Sequence, residues 1–429
     1  MARLGTFRSL GQRNVRLFFA GMLVSNVGTW MQSTAQGWLV YRLSGQGTSL
    51  GLVLACQFLP LLVLGPWAGV LADRMNRRRL TIGTQAGMAA QAVLLGVLDL
   101  SGNVSLPLVY ALALVLGVLN AVDNPARRSL VTEMVDEEDI PNVLSLNTAV
   151  MTGSRVFGPA LAALLVALVG TGWCFIANGL SFLAVLASLL LMNPAQLRTA
   201  TPAPRGGQPL REGLRFVWRD PVLRSTFIIL TVVSTFAFNY GVSLLLVSSR
   251  NLGGGVAAFG FLLAVTSFGS FAGSLVIASK RQIGTRVMLA ALIVLGTFST
   301  LMGVAPTLAV AFILAVPLGM GGAGYIASTN GIILPRVPPH MRGRVLALQA
   351  TAFLGSTPIG APITGWIGDH FGAGWSIAYG GLIALACVAV ASLTLRERRC
   401  SDARERAADR TDGVTGAAAG AVVPAETAL

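Results

Sequence analysis

Gly69-Val-Leu-Ala-Asp73-Arg74-Met-Asn-Arg77-Arg78-Arg79 is a short run of charge set between two long apolar stretches, 48–71 and 80–100. A helix needs about 20 apolar residues to cross a hydrocarbon core, and each flank is long enough. The charged run therefore reads as the tight turn of a helical hairpin across a bilayer. A basic stop-transfer cluster would account for the arginines alone. A Gly four residues before an Asp-Arg pair, with a further Arg three residues on, is a more specific pattern.

Working outward, apolar stretches of the same length recur with short breaks. The expected spans are 17–41, 48–71, 80–100, 105–124, 143–168 and 173–192, then 223–248, 255–278, 286–304, 307–333, 345–367 and 375–395. The chain is 54% hydrophobic and 11% charged, with a mean hydropathy of +0.71, too apolar for a water-soluble surface. The expected fold is an all-α membrane protein of twelve transmembrane helices. Residues 1–16 form a basic arm, 17–192 and 223–395 two six-helix bundles, 193–222 a central loop and 396–429 a tail.

The net charge of +14 raises the possibility of a nucleic-acid partner, which its distribution argues against. If the N-terminus is cytoplasmic, 28 of the 31 basic residues fall in the arm, the tail and the loops on that side. The positive-inside rule then puts both termini in the cytoplasm and makes the bilayer, not nucleic acid, the partner. Only Arg42, Arg155 and Arg250 depart from it. Arg3, Arg8, Arg13 and Arg16 precede an apolar run too long for a signal core, so that run reads as the first span. Cys56, Cys174, Cys387 and Cys400 are mutually distant, and His340 and His370 lie in loops, so neither a metal site nor a disulfide is suggested. The predominance of Arg over Lys, with abundant Ala and Gly, suggests a GC-rich bacterial genome and hence the bacterial cytoplasmic membrane.

An offset of 202 residues aligns Gly117 with Gly319, Val143-Leu144 with Val345-Leu346, Gly158 with Gly360, Gly172-Trp173 with Gly374-Trp375, and Gly179 with Gly381. This is an internal repeat. Six spans is an even number, so the copies are parallel and a substrate site is expected near the midplane between them. One chain then holds both halves of a cavity, and a monomer suffices. In the central loop, Arg211 to Arg219 sets Leu214, Phe216, Val217 and Trp218 among arginines, either a helix lying on the inner leaflet or a solvated connector. Beyond Arg410 the Ala-, Gly- and Thr-rich composition predicts disorder.

The pattern G-x-x-x-D-R-x-x-R-R-R at Gly69 resembles the loop between the second and third helices of the major facilitator superfamily. Asp123-Asn-Pro-Ala-Arg-Arg128, Leu146-Asn-Thr-Ala-Val-Met-Thr-Gly-Ser-Arg-Val-Phe-Gly-Pro159 and Gly28-Thr-Trp-Met-Gln32 resemble its enterobactin-exporter and macrolide-efflux branch. The resemblance covers about 5–397. It implies secondary active transport by alternating access, usually export of a small molecule driven by the proton gradient, with no cofactor. It also makes Gly69, Asp73, Arg74 and Arg77 a cytoplasmic gate, with Asp73 facing the N-terminus of span 11 near Arg344. There a helix dipole favours a carboxylate by about 0.3–1 kcal/mol. Arg127 or Arg128 is a candidate partner for Asp73. The corresponding stretch Gly273 to Arg281 lacks the Asp, so a second gate is degenerate.

Gly153, Gly158 and Pro159 resemble an antiporter-type pattern, in which small residues allow close packing and Pro bends the helix. Ala160, Ala162 and Ala163 follow where paired glycines would complete it, and a kink used only for packing is the competing reading.

Arg155 is the leading candidate for substrate binding. A charge in mid-span costs on the order of 3 kcal/mol unless it faces protein or a water-filled cavity. It suits an anionic substrate group, or else a structural role on helix carbonyls or Asp123. In span 1, Asn26, Trp30, Ser33 and Gln36 recur at three- and four-residue steps and so share one face. Gln57, Asn239, Tyr240, Tyr325, Asn330 and Gln349 are polar candidates from spans 2, 7, 10 and 11. Asp123 is the leading protonatable candidate for proton coupling and Asp73 the second. Many members of the family it resembles carry Asp where this chain has Gly37. A membrane enzyme would need intramembrane carboxylate pairs, a His cluster or a Ser-Lys dyad, and none is seen. The only Lys is Lys280, in Ser-Lys-Arg, so no phosphate-binding loop of an ATP-driven pump exists. Uptake of an organic anion and a non-transporting sensor remain the alternatives to export.

Overall fold

A computed structural model describes residues 5–198, 209–280 and 283–393, excepting the side chains of residues 5–7, 66, 70, 72, 73, 209 and 210. Described residues form helices and connecting turns, with no strand among them. The long helices of the first half are α1 (Arg13–Ser44), α2 (Gly47–Arg74), α3 (Arg77–Leu100), α4 (Leu106–Glu133), α5 (Ile140–Val169) and α6 (Thr171–Leu191). The second half holds α7 (Pro209–Arg219), α8 (Pro221–Ala237), α9 (Tyr240–Leu246), α10 (Val256–Ala278), α11 (Thr285–Gly303), α12 (Leu308–Ile333), α13 (Pro339–Leu354), α14 (Thr357–His370) and α15 (Trp375–Leu393).

Among the described residues, ten stretches are helical, long and apolar enough to cross a membrane. Two expected spans are not among them. Expected span 17–41 lies within α1, a single 32-residue helix whose hydropathy is lowered by the buried Asn14, Asn26, Gln32 and Gln36. Expected span 345–367 is two helices, α13 and α14, interrupted at Gly355–Ser356. Expected span 223–248 is interrupted too. Between α8 and α9 the backbone leaves helical geometry at Phe238 and Asn239, and the Asn239 amide donates to the Thr235 carbonyl at 2.7 Å. The two interruptions are neighbours, since Phe238 and Phe353 meet edge to face with centroids 5.3 Å apart.

α4 continues to Glu133 rather than stopping near 124. Pro125 removes one backbone donor from the helix interior, and the amides of Asn120 and Asn124 bond back to the carbonyls of Leu116 and Asn120 on the turns before it.

The glycines aligned by the 202-residue offset sit at corresponding crossings. A Cβ at Gly117 would lie 2.3 Å from the Gln57 carbonyl of α2, and one at Gly319 would lie 1.9 Å from the Thr266 carbonyl of α10. Gly158 and Gly360 lie against α1 and α8, and Gly179 and Gly381 against α3 and α11. These helices approach backbone to backbone, as small residues permit where lipid offers no hydrophobic drive to association. Residues 199–208 of the central loop and the tail expected to be disordered lie outside the described residues.

Candidate functional site

Arg155 projects from α5 toward α1 and is exposed, with its guanidinium carbon 4.7 Å from the centre of the Trp30 ring. One turn earlier, Met151 accepts a long hydrogen bond from the Asn26 amide at 3.6 Å. Asn26 and Trp30, four residues apart on α1, thus meet Met151 and Arg155, four apart on α5. The approach is fixed by Gly158, where a Cβ would stand 2.4 Å from that of Trp30. Among the described residues Arg155 has no ion-pair partner, and Asp123 is engaged elsewhere. A guanidinium over an indole face keeps its hydrogen-bonding edge free for a planar anion.

The remaining polar candidates divide. Gln36 is buried and its carbonyl oxygen finds no donor among the described residues; Ser33 is half-buried on the same face of α1. Tyr325 is fully buried and Tyr240 partly so, and among the described residues neither hydroxyl has a hydrogen-bond partner. Asn239 serves the backbone at the α8–α9 interruption, and Gln349 is buried on α13. Gln57 and Asn330 are half-buried. Pro159 is buried, and its carbonyl lies 2.6 Å from where Gly260 of α10 would carry a Cβ. Gly153 departs from expectation: a Cβ there would meet nothing within 4 Å, so it is not at a tight crossing. A network that sequence reading missed ties α1, α3 and α6 together: Asn178 donates to Gln32 at 2.6 Å, and Gln32 to Gln91 at 3.2 Å.

At the Arg-rich end, Asp123 is buried on α4. Its Oδ1 accepts from Thr84 at 2.8 Å and Gln85 at 3.0 Å, and its Oδ2 lies 3.2 Å from the Arg127 Nε. Arg127 pairs with Asp123, one helical turn away, while Arg128 is exposed. Arg77 pairs with Glu133, a residue the sequence reading did not single out, and Arg78 donates to the Leu189 carbonyl at 2.7 Å. Arg74 is exposed, and a Cβ at Gly69 would meet nothing within 4 Å. The Asp73 side chain lies outside the described residues. Helix α13, its expected partner, begins at Pro339, earlier than Arg344.

The opposite end is closed by contacts between the two halves of the chain. Asp369, at the end of α14, accepts from the backbone N–H groups of Gly47 (2.7 Å) and Thr48 (2.8 Å) and from the Thr48 hydroxyl (2.7 Å). Arg250 donates to Asp369 at 2.8 Å, to the Gly368 carbonyl at 3.1 Å and to the Gly45 carbonyl at 2.5 Å. Gly45 ends α1 in the left-handed region, with φ of 65°, which turns its carbonyl out toward that guanidinium. Below this cap, Gly51 of α2 sits where a Cβ would be 2.3 Å from the Ala361 carbonyl of α14, while α5 and α10 meet at Pro159 and Gly260. Burial raises the pKa of Asp369, but the hydrogen bonds from Gly47, Thr48 and Arg250 outweigh it and hold the carboxyl below its ordinary value. The residue lies two positions beyond the expected span.

A bundle of membrane-length helices, with an interior arginine and one end sealed across its halves, is built as a membrane transporter. A family model described as "Transmembrane secretion effector" matches residues 4–415, and the chain belongs to that family of the major facilitator superfamily. It is 27% identical to the multidrug efflux pump Tap of Mycolicibacterium fortuitum, over 83% of this chain and 89% of that one. It is 23% identical to the staphyloferrin A transporter of Staphylococcus aureus (83% and 90% covered) and 21% identical to the macrolide efflux protein A of Streptococcus pyogenes (90% and 96%). In fold it is similar to a bacterial homologue of the human lysosomal transporter Spinster in an inward-facing, occupied conformation, with a TM-score of 0.71, 15% identity and 89% and 96% coverage. The chain is a multi-pass membrane transporter and not an enzyme.

Proposed function

We propose that the protein is a proton-driven exporter of small organic molecules, working as a monomer in a bacterial cytoplasmic membrane with both termini in the cytoplasm. In this reading α1 and the α13–α14 pair complete twelve crossings, arranged as two parallel six-helix repeats. The matched glycine crossings at the 202-residue offset support that layout. The sealed Arg-poor end is then the outer face, and the conformation is the inward-facing state of alternating access.

The observation that carries the substrate class is Arg155 over Trp30. A cation with a free edge and an aromatic face side by side fits an amphipathic molecule bearing a carboxylate, catecholate or similar anionic group. The names of the relatives, drug and macrolide efflux and siderophore transport, support the same size range and favour export. Asp123 is the proposed proton-coupling group. Its carboxylate is held by Arg127 in this state, and protonation would release that arginine.

The test is untargeted mass spectrometry of medium and cell extract from a deletion strain and its complemented parent. An anionic metabolite that builds up inside and falls outside on deletion is the expected result. Accumulation in the medium instead would indicate uptake, and no change in any compound would argue for drug efflux or a non-transporting role.

A further inference from the structure

Helix α7 carries a face that neither the transport mechanism nor the packing of the bundle uses. On one side, Gly213 lies against the Arg344 backbone of α13, with a Cβ position 3.5 Å from its carbonyl, and Val217 is fully buried with Leu223, Phe227, Met341 and Val345. Glu212 pairs with Arg344 and fastens the same contact. On the other side, Leu214 and Trp218, four residues apart, are 44% and 52% exposed, and Arg215 and Arg219 line the helix beside them. At 100° per residue the leucine and tryptophan form one flank of the free arc and the arginines its centre and opposite flank.

The setting of α7 points to what covers this arc. One residue after its end, Asp220 caps α8, accepting from the backbone N–H groups of Val222 at 2.7 Å and Leu223 at 3.2 Å. α8 opens a stretch long and apolar enough to cross the membrane, so α7 lies at the level where that stretch enters the bilayer. Trp with Leu on one flank and Arg on the next match the boundary between acyl chains and headgroups.

We infer that the Leu214–Trp218 face of α7 is a docking site for anionic phospholipid, with the indole at the acyl boundary and Arg215 and Arg219 on lipid phosphates. The inference rests on the proposed topology only in assigning the contact to the inner leaflet. Each arginine near an anionic leaflet strengthens the attraction of its segment to that leaflet by about fivefold. Because the buried face of α7 is packed on α13, this contact would hold the connector between the halves in the membrane plane.

The test uses the full chain in nanodiscs of phosphatidylcholine containing, at equal mole fraction, either brominated phosphatidylglycerol or brominated phosphatidylcholine. The tryptophan emission lost in Trp218→Phe isolates the share of Trp218. That share should be quenched severalfold more by the brominated anionic lipid. An Arg215→Gln/Arg219→Gln variant should keep quenching but lose the preference. Equal quenching by both lipids in the unmodified chain, or none by either, would overturn the inference; the latter would mean water or a protein partner on this face. Quenching needs no substrate, so failure of the export reading would leave this result intact.

Discussion

Asp369 accepts both the backbone N–H and the hydroxyl of Thr48, at 2.8 and 2.7 Å, so that the last turn of α14 caps the first turn of α2 from the other half of the chain. A carboxylate at a helix N-terminus satisfies free N–H donors and meets the positive end of the dipole. The family resemblance gives Asp73, at the far end of α2, the same task toward the start of α13. In that expectation α2 would be capped by α14 at the sealed end and would itself cap α13 at the Arg-rich end.

Asp369→Asn should favour opening of the sealed end. Hydrogen bonds to a charged group contribute about 1.5–3 kcal/mol each, and Asn keeps one acceptor oxygen while losing the pairing with Arg250. The closed-to-open ratio should fall by about tenfold, the equivalent of one such bond. Spin labels at Ser101 and Val304, both at this end on opposite halves, would report it as a longer distance population by double electron–electron resonance. An unchanged distribution would remove the latch.

The same distances should be insensitive to mild acid. The Asp369 carboxyl is held below its ordinary value in the closed state, so closure is favoured wherever the free group would already be ionised. That contribution is complete above about pH 5 and is lost as pH falls below about 4, through the depressed value. The closed population should therefore be flat from about pH 8 to about pH 5 and decline only beyond. A midpoint near neutrality would assign the switch to another group.

Two glycines separate closure from stability. Gly51 meets Ala361 across the halves, whereas Gly158 meets Trp30 within one half. Gly51→Ala should leave thermal stability nearly unchanged and open the sealed end, because its Cβ clashes only in the closed state. Gly158→Ala should lower the melting temperature of the purified protein, since overpacking inside a bundle destabilises by about 1–3 kcal/mol. Melting curves and the spin-label distances, measured on both variants, check the contrast.

What can be read from the chain alone follows from the range of the interactions. Apolar runs and the Gly117, Gly158, Gly179 series are local or periodic, and they mark the helices and their close crossings. Arg155 stands out because a mid-span charge is rare in any membrane chain. Asp369 appears only as an acidic residue at an outer end, since Gly47 and Thr48 are more than 300 positions away, Arg250 is 119 away, and no pattern links them. Arg77 with Glu133 is hidden for a similar reason, because the apolar run of α4 stops near 124 while the helix goes on to Glu133. The interruption at Phe238–Asn239 contains neither Gly nor Pro, and no local pattern announces it; beside it α14 comes so close that a Cβ at Gly360 would lie 1.8 Å from the Thr235 carbonyl.

Arg155→Ala should abolish transport of anionic substrates while leaving insertion and folding intact, because the side chain is exposed over Trp30 and holds no ion pair among the described residues that folding depends on. Loss of a charge-assisted contact to substrate corresponds to about 1.5–3 kcal/mol, or roughly 10- to 150-fold in affinity. Arg155→Lys should recover only part of it, since an ammonium lacks the planar fork that both stacks on the indole and pairs with a carboxylate. Trp30→Ala should weaken binding less, by about 0.5–2 kcal/mol, as it removes the stacking face and leaves the charge. Transport into inverted vesicles of the metabolite identified in the deletion strain measures all three. Normal rates for Arg155→Ala with an anionic compound would move the guanidinium out of the binding site and leave it a structural residue on the α1–α5 crossing.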